Sequence, residues 1–387
     1  MDITPTPLTR SRPVVVALTL AFVAILLAAC TGPAAGPGQT TNSLPSSPFE
    51  PTTTEAPPPG PMVAYRAADE IGLAEGTRIV ATVEGAFPTA NDLITTEDRR
   101  YVFARTEDNR LATLDVEARR GTVRPVTVGP TLGTAGGSSV VWWEQPNRLM
   151  RLNLADPDAV PEVARIVDLP PVAGVRPGEP RLVVARGGTA VLARVEAPPS
   201  PFGGPDTLYA VRGPGPPTPL GHAEANSPVT VARLSPDGAV LTYALYRATD
   251  SGCGTAAVVQ SNADGTQEVF DVAGADPHAG SRVTRLWWPV DGPPKLSLLT
   301  WQCGEPGQPA QTDPPLVWQL SDGHIAQVKP PTSALQTAEI APGQRALLLP
   351  HAEGYGDPAG TLVFEDGSRR FPVRQDVDAI AALPQAP

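Results

Sequence analysis

Three residue classes in this 387-residue chain could do chemistry: cysteines at 30, 253 and 303, four histidines, and 40 carboxylates. Metal binding would need thiols and imidazoles at ligand spacing, and no CxxC or HxxxH accompanies any of them. Acyl, phosphoryl and metalloprotease chemistry would appear as GxSxG, GxxxxGK[ST] or HExxH, and none of these occurs, nor does an EF-hand loop. No cofactor is implied. What remains is a set of polar residues in loop-like segments: His222, His278 and His351, with Glu224, Asp250, Asp276, Glu305, Asp313, Glu353 and Asp357. Phe202, Tyr355 and Trp301 lie nearby and could stack on a ligand or pack beneath the loops. Glycoside hydrolysis would need two of these carboxylates converging on one sugar, and no spacing singles out a pair. Any solvated loop also contains residues of these types.

The elements that would position them recur. A turn followed by apolar strand appears as TTEDRRYVFAR (95–105), TAGGSSVVWWE (134–144), VARGGTAVLARV (184–195), RLSPDGAVLTYAL (233–245), WPVDGPPKLSLLTW (288–301) and IAPGQRALLL (340–349). The copies are mostly about fifty residues apart, a period with strand patterning that predicts a β-propeller of four-stranded blades. An all-β sandwich array would not explain matching loop positions at that period. Lettering the strands A to D outward from the axis, the first copy reads A 93–95, B 101–105, C 111–116 and D 122–128. The second reads B 140–144, C 149–154 and D 162–169. The later C strands fall at 207–212, 255–260, 316–320 and 361–365. Asp-Gly pairs at 237–238, 264–265, 291–292, 322–323 and 366–367 supply the positive φ of tight hairpins.

Two strands, 62–67 and 78–84, precede the six copies, and VDAIAALPQ (377–385) follows them, resembling the A strand of the sixth copy. Joining these ends in a composite seventh blade would remove exposed edges; the alternative is six blades with terminal extensions. Trp142-Trp143 and Trp287-Trp288 lie in strands, so alternate rings are expected to pack into opposite blade interfaces.

Cys253 and Cys303 are one blade step apart, at or beside the B–C connection of adjacent copies. Neighbouring B–C loops share a face, so these two thiols are expected to form a disulfide in an exported protein.

The connections are unequal in length. A–B and C–D links are mostly tight, whereas B–C links are long at 197–206, 248–254, 303–315 and 351–360, as are the D–A links at 169–180 and 221–228. In a propeller, B–C and D–A connections emerge on one face. That face is the expected binding surface, with Phe202, His222, Glu224, Asp250, His278, Glu305, Asp313, His351, Glu353, Tyr355 and Asp357 as candidates.

At the N-terminus, Arg10 and Arg12 precede an apolar run, Val14–Leu26, too short to span a bilayer comfortably and suited to a signal-peptide core. It ends in Leu27-Ala28-Ala29-Cys30, which resembles the bacterial lipobox. The resemblance implies cleavage before Cys30, diacylglycerol and acyl (palmitate-type) chains on that residue, and a protein held at the outer side of the cell membrane. Each buried methylene contributes about 0.8 kcal/mol, so two or three chains anchor stably. Residues 1–29 would then be the signal peptide and 30–61 a Pro/Thr/Ser-rich disordered tether, with 62–387 the propeller. Such a tether reaches about 30 Å as a coil and approaches about 100 Å extended. Its Thr/Ser/Pro composition also permits O-glycosylation.

Without residues 1–29 the net charge is −12, and an acidic domain lacking a basic stripe argues against nucleic acid. Two lysines beside 27 arginines, with abundant Ala, Pro and Gly, resemble the bias of high-GC actinobacterial genomes.

Ser235-Pro236-Asp237-Gly238, preceded by Leu234, resembles the SPDG turn of TolB-like (WD40-like, PD40) propellers. Only the fourth copy carries it intact; Val290-Asp291-Gly292 and Ala341-Pro342-Gly343 look like degenerate versions, and the first three copies depart from it. The resemblance implies an extracytoplasmic interaction scaffold and transfers no catalytic residue. Two expectations follow: a lipid-anchored propeller that binds a protein or envelope polymer without catalysis, or a surface enzyme acting on carbohydrate through loop carboxylates.

Overall fold

A computed structural model describes residues 61–89, 93–174, 176–196, 205–223, 229, 231–247, 253–272, 279–303, 312–351 and 357–383. Among them there is no helix; the chain is a β-propeller of four-stranded antiparallel sheets. The first blade is Ile94–Thr95, Tyr101–Arg105, Arg110–Asp115 and Arg120–Thr127. The second runs from Leu132–Thr134 through Ser139–Glu144 and Arg148–Asn153 to Glu162–Ile166. The third is Arg181–Arg186, Thr189–Val195, Asp206–Arg212 and Thr218–His222, and the fourth Ala232–Leu234, Leu241–Arg247, Thr255–Ser261 and Gln267–Val272. The fifth is Ala279–Trp287, Lys295–Gln302, Leu316–Ser321 and His324–Gln327. The sixth begins with Gln336–Ala341, Gln344–Pro350 and Gly360–Asp366.

The last strand, Arg369–Leu383, serves two sheets. Its first part pairs with Gly360–Asp366 as the D strand of the sixth blade. Its second part pairs with Met62–Ala67, from Met62↔Leu383 to Ala67↔Val377, and becomes the A strand of a composite blade. The N-terminal segment therefore supplies three strands, not the two expected, because Glu70–Glu75 lies between Met62–Ala67 and Arg78–Glu84. Gly72 obscures that strand in the sequence, since glycine weakens a strand pattern. Its missing side chain houses the ring of its cross-strand partner Tyr65, whose Cζ would lie 2.3 Å from a Cβ.

The alternation within each strand feeds two interfaces. Val102 and Ala104 pack toward the composite blade, Tyr101 and Phe103 toward the second. Trp142 joins the cluster between first and second blades and Trp143 that between second and third, as period-2 alternation requires. Further clusters join third to fourth, fourth to fifth, fifth to sixth, and sixth to composite, so the buried apolar clusters close a circuit. The outer strands of the fourth and fifth blades also pair in parallel, Asp271↔His324 and Val272↔Ile325.

All five Asp-Gly glycines have positive φ, between 59° and 96°. The intact Ser235–Gly238 turn bonds Gly238 N–H to Ser235 O (2.8 Å) and Val240 N–H to Ser235 Oγ (2.9 Å). The first copy, different in letters, repeats this geometry: Arg99 N–H to Thr96 O (2.9 Å) and Tyr101 N–H to Thr96 Oγ1 (3.0 Å), with Arg99 at φ 61° in the glycine's place.

Candidate functional site

On the B–C and D–A face, the described parts of the long connections are fastened at three places. The first is the disulfide. Cys253 and Cys303 are bonded with Cα atoms 5.8 Å apart, joining the fourth and fifth blades as their spacing predicts. Beneath it, Tyr246 and Trp301 pack with ring centroids 6.5 Å apart, and Tyr246 OH accepts the Gly254 N–H at 3.0 Å. Both rings need a glycine beside them. A Cβ on Gly280 would fall 2.1 Å from Trp301 Cε2, and one on Gly254 would fall 2.3 Å from Tyr246 Cζ. Trp301 thus packs against Tyr246 and Gly280.

The second is a polar network at the loop end of the third blade. The strand Thr189–Val195 delivers Arg194 with its guanidinium buried, and Glu196 follows it directly. Glu196 Oε1 accepts hydrogen bonds from Arg194 Nε (3.0 Å) and Tyr209 OH (2.5 Å). Burial alone would raise the Glu196 pKa. Hydrogen bonds from Tyr209, Arg194 and Thr207, with the Arg194 charge, outweigh burial and hold it below the usual range. Burial and the Glu196 carboxylate push Tyr209 up. Thr207 Oγ1 lies 2.9 Å from His222 Nδ1. Thr207 thus stands between the Glu196 carboxylate and the exposed His222 ring. Glu196 is held as an anion that orients its neighbours, and the His222 ring lies at the exposed end of this network.

The third lies where the sixth blade meets the composite one. Arg285 reaches from the inner strand of the fifth blade to the Pro358 carbonyl at 2.7 Å. His351 Nε2 stands 3.6 Å from Asp376 Oδ1. Below them Arg66 Nε donates to Asp378 Oδ1 at 2.7 Å, both side chains buried. Burial raises the Asp378 pKa against the opposing pull of Arg66.

Of the eleven loop candidates, His222, Asp313, His351 and Asp357 are described. They belong to the third, fifth and sixth blades and make no hydrogen bond with one another. His222 ends a strand, Thr218–His222, rather than starting a loop, because Thr207↔His222 extends the ladder. Asp313 accepts from Thr300 Oγ1 at 3.0 Å, and Asp357 caps the Ala359 N–H at 2.9 Å. Phe202, Glu224, Asp250, His278, Glu305, Glu353 and Tyr355 lie outside the described residues, as do Cys30, residues 1–29 and the tether. Arg194, Glu196, Tyr209, Arg66 and Asp378 were missed by sequence reading. Their signal was a charge inside an apolar strand, as in VAYRA and VDAIAAL. Among the described residues no group of three His, Cys, Asp or Glu could hold a metal.

No family model and no curated protein matches the chain. Solved structures similar to it include a functionally unknown protein from Desulfotomaculum acetoxidans DSM 771, 11% identical, covering 84% of this chain and 100% of that one at TM-score 0.48. An oligogalacturonate lyase in complex with manganese is 14% identical over 81% of this chain and 84% of that one, at TM-score 0.47. The Cps50 (Swd1) β-propeller domain from Myceliophteria thermophila is 12% identical over 77% and 95%, at TM-score 0.42. At these values the likeness bears on the course of the backbone and not on chemistry.

Proposed function

We propose that the protein is a lipid-anchored, extracytoplasmic β-propeller that binds a protein or an envelope polymer through its B–C and D–A face and catalyses nothing. The observation that carries this reading is the Cys253–Cys303 disulfide. It clamps neighbouring long B–C loops on one face, and disulfides persist in oxidising compartments outside the cytoplasm. The lipobox-like Leu27–Cys30 supports the anchor, and the shared Ser235–Gly238 and Thr96–Arg99 turn geometry supports a TolB-like scaffold. The A–B side contrasts with the loop face. There the Glu97 Oε1 acceptor bonds Thr134 Oγ1 (2.9 Å) and Gly187 N–H (2.8 Å), drawing the turns of three blades together and leaving little backbone to shape a broad surface.

The test is capture from the native envelope by crosslinking, using the full-length chain. One variant has loops 197–206 and 303–315 shortened to Asn-Gly turns, and another carries substitutions on the A–B face. Loss of partner only in the first set is expected; loss only in the second refutes the face. Cys30→Ser is expected to abolish lipid labelling and detergent partitioning, and unchanged partitioning would sink the anchor.

A further inference from the structure

Each blade of a propeller ends in an outer strand whose far edge carries backbone N–H and C=O groups without a strand partner, a template for pairing with another chain. All but one of these edges are blunted here. The outer strand of the first blade, Arg120–Thr127, contains Pro125, and that of the third, Thr218–His222, contains Pro219. The third is also held by the fourth, because Gln267 Nε2 donates to the Leu220 carbonyl at 2.7 Å. The outer strands of the fourth and fifth blades cover one another through the parallel pairs Asp271↔His324 and Val272↔Ile325. The sixth blade's outer segment holds Arg369, Arg370 and Pro372. On the composite blade Gly121 presses against the strand Arg78–Glu84, where a Cβ would stand 2.7 Å from Thr82 O.

The exception is the second blade. Its outer strand, Glu162–Ile166, holds no proline and pairs with Arg148–Asn153 alone. Among the described residues seven large apolar side chains stand exposed, and three of them belong to this rim: Val160 (76%), Val163 (45%) and Ile166 (63%). A bulge at Ala164 sorts the side chains. Met150 is opposite Val163 and Arg148 opposite Ile166, so both apolar groups project from one side of the sheet. Glu162 and Arg165 project from the other side, and both are satisfied within the fold. Arg151 Nε donates to Glu162 Oε1 at 2.9 Å, and Arg165 donates to the carbonyls of Gly213 and Gly215 on the third blade.

We propose that this edge is a homotypic interface, at which a second copy of the chain adds its own Glu162–Ile166 strand antiparallel to the first. Three observations select a second copy. With Val163 opposite Ile166 of the other copy, a twofold axis repeats the pair, so the apolar side chains meet twice on one face. The bulge permits this register, because without it residues 163 and 166 would point to opposite faces. Copies that each carry a net charge of −11 approach most easily where charge is locally balanced, and here Glu162 and Arg165 offset each other. Outer strands of this chain also pair edge to edge already, between the fourth and fifth blades. The patch is small beside the ~1,600 Å² of a standard stable interface, so the dimer is weak and concentration-dependent. It is separate from the long-loop face and stands or falls independently of it.

The experiment is sedimentation velocity of the full chain in detergent over a wide concentration range. The wild type is compared with Val163→Lys/Ile166→Lys, with Val163→Lys/Ile166→Glu, and with a control, Val269→Lys, on the fourth blade's rim. All four positions are exposed or half-exposed in the fold, so thermal midpoints are expected to stay near that of the wild type. The wild type and the control are expected to dimerise. The double lysine variant sets like charges opposite one another and is expected to dimerise about tenfold or more weakly. The lysine–glutamate variant sets opposite charges across the twofold axis and is expected to regain the dimer. A wild type that stays monomeric throughout, an undiminished dimer in the double lysine variant, or no recovery in the lysine–glutamate variant overturns the proposal. A monomeric wild type that crosslinks to an envelope protein through this strand assigns the edge to a foreign strand and likewise overturns it.

Discussion

Arg66 and Asp378 are 312 residues apart in sequence, and Arg66 Nε donates to Asp378 Oδ1 at 2.7 Å. They lie on the two strands that join the N- and C-terminal ends of the propeller, with side chains 1% and 2% exposed. Arg66 Nη2 also donates to the Thr89 carbonyl at 3.2 Å, so the pair ties three segments together. Removing one partner from a buried pair strands the other charge, at a cost of about 3–5 kcal/mol. Asp378→Ala is therefore expected to lower the unfolding free energy by about that amount, whereas the double variant Arg66→Met/Asp378→Leu recovers most of it. Denaturant titration of the single and double variants checks this; equal losses in both would show that the charges themselves hold the closure.

Reducing the Cys253–Cys303 bond releases a loop spanning 50 residues. Chain entropy assigns such a crosslink about 4 kcal/mol, less any native strain. Cys253→Ser/Cys303→Ser is expected to lose a large part of that. Amide exchange should quicken first at the neighbouring Gly254 and Ser281, whose backbones are hydrogen-bonded across the two blades at 3.0 Å. Exchange that quickens evenly over all blades would contradict local clamping.

Arg99 and Gly238 occupy the same position in matching turns, at φ 61° and 70°. Arg99→Gly removes a side chain from a backbone region that costs an ordinary residue about 1 kcal/mol. Its midpoint is expected to rise. Gly238→Ala imposes that backbone cost and puts a Cβ 2.5 Å from Arg186 O, so its midpoint is expected to fall further than the first rises. Differential scanning calorimetry of the two variants decides it.

Glu196 has a folded-state pKa below its unfolded value. The unfolded state then binds the proton more tightly, so the carboxylate stabilises the fold above the unfolded pKa. That stability is lost as pH falls through the folded pKa. Glu196→Gln is expected to lower stability at neutral pH and to flatten the acid limb of the stability curve below about pH 5. An acid limb as steep as the wild type's would assign the titration to other carboxylates.

Repetition made most of the fold legible. The first copy places the B strand Tyr101–Arg105 at its observed bounds and the second places Ser139–Glu144 to within one residue, because alternation of apolar residues is a local property of the chain. The disulfide was legible for a related reason: once the period is known, two cysteines one step apart must share a face. VDAIAALPQ was recognisable as an inner strand, since it repeats the sixth copy's A strand. Glu70–Glu75 escaped because Gly72 breaks the pattern, and its reason for being glycine, the Tyr65 ring, lies on another strand. Likewise Thr96–Arg99 shares no letters with the SPDG turn except aspartate. A threonine hydroxyl and a left-handed arginine nevertheless satisfy the same hydrogen bonds.

The site-forming contacts were decided by the tertiary structure alone. Glu97 reaches Gly187 across 90 residues, Arg66 reaches Asp378 across 312, and Thr207 links Glu196 to His222 from three different strands or strand ends. The sequence by itself determined the period, the blade pattern and the thiol pair, because each depends on neighbours along the chain or on one repeat of it. Which charges meet depends on how the blades close into a ring. That closure brings distant inner strands within hydrogen-bonding distance, and no spacing along the chain encodes it.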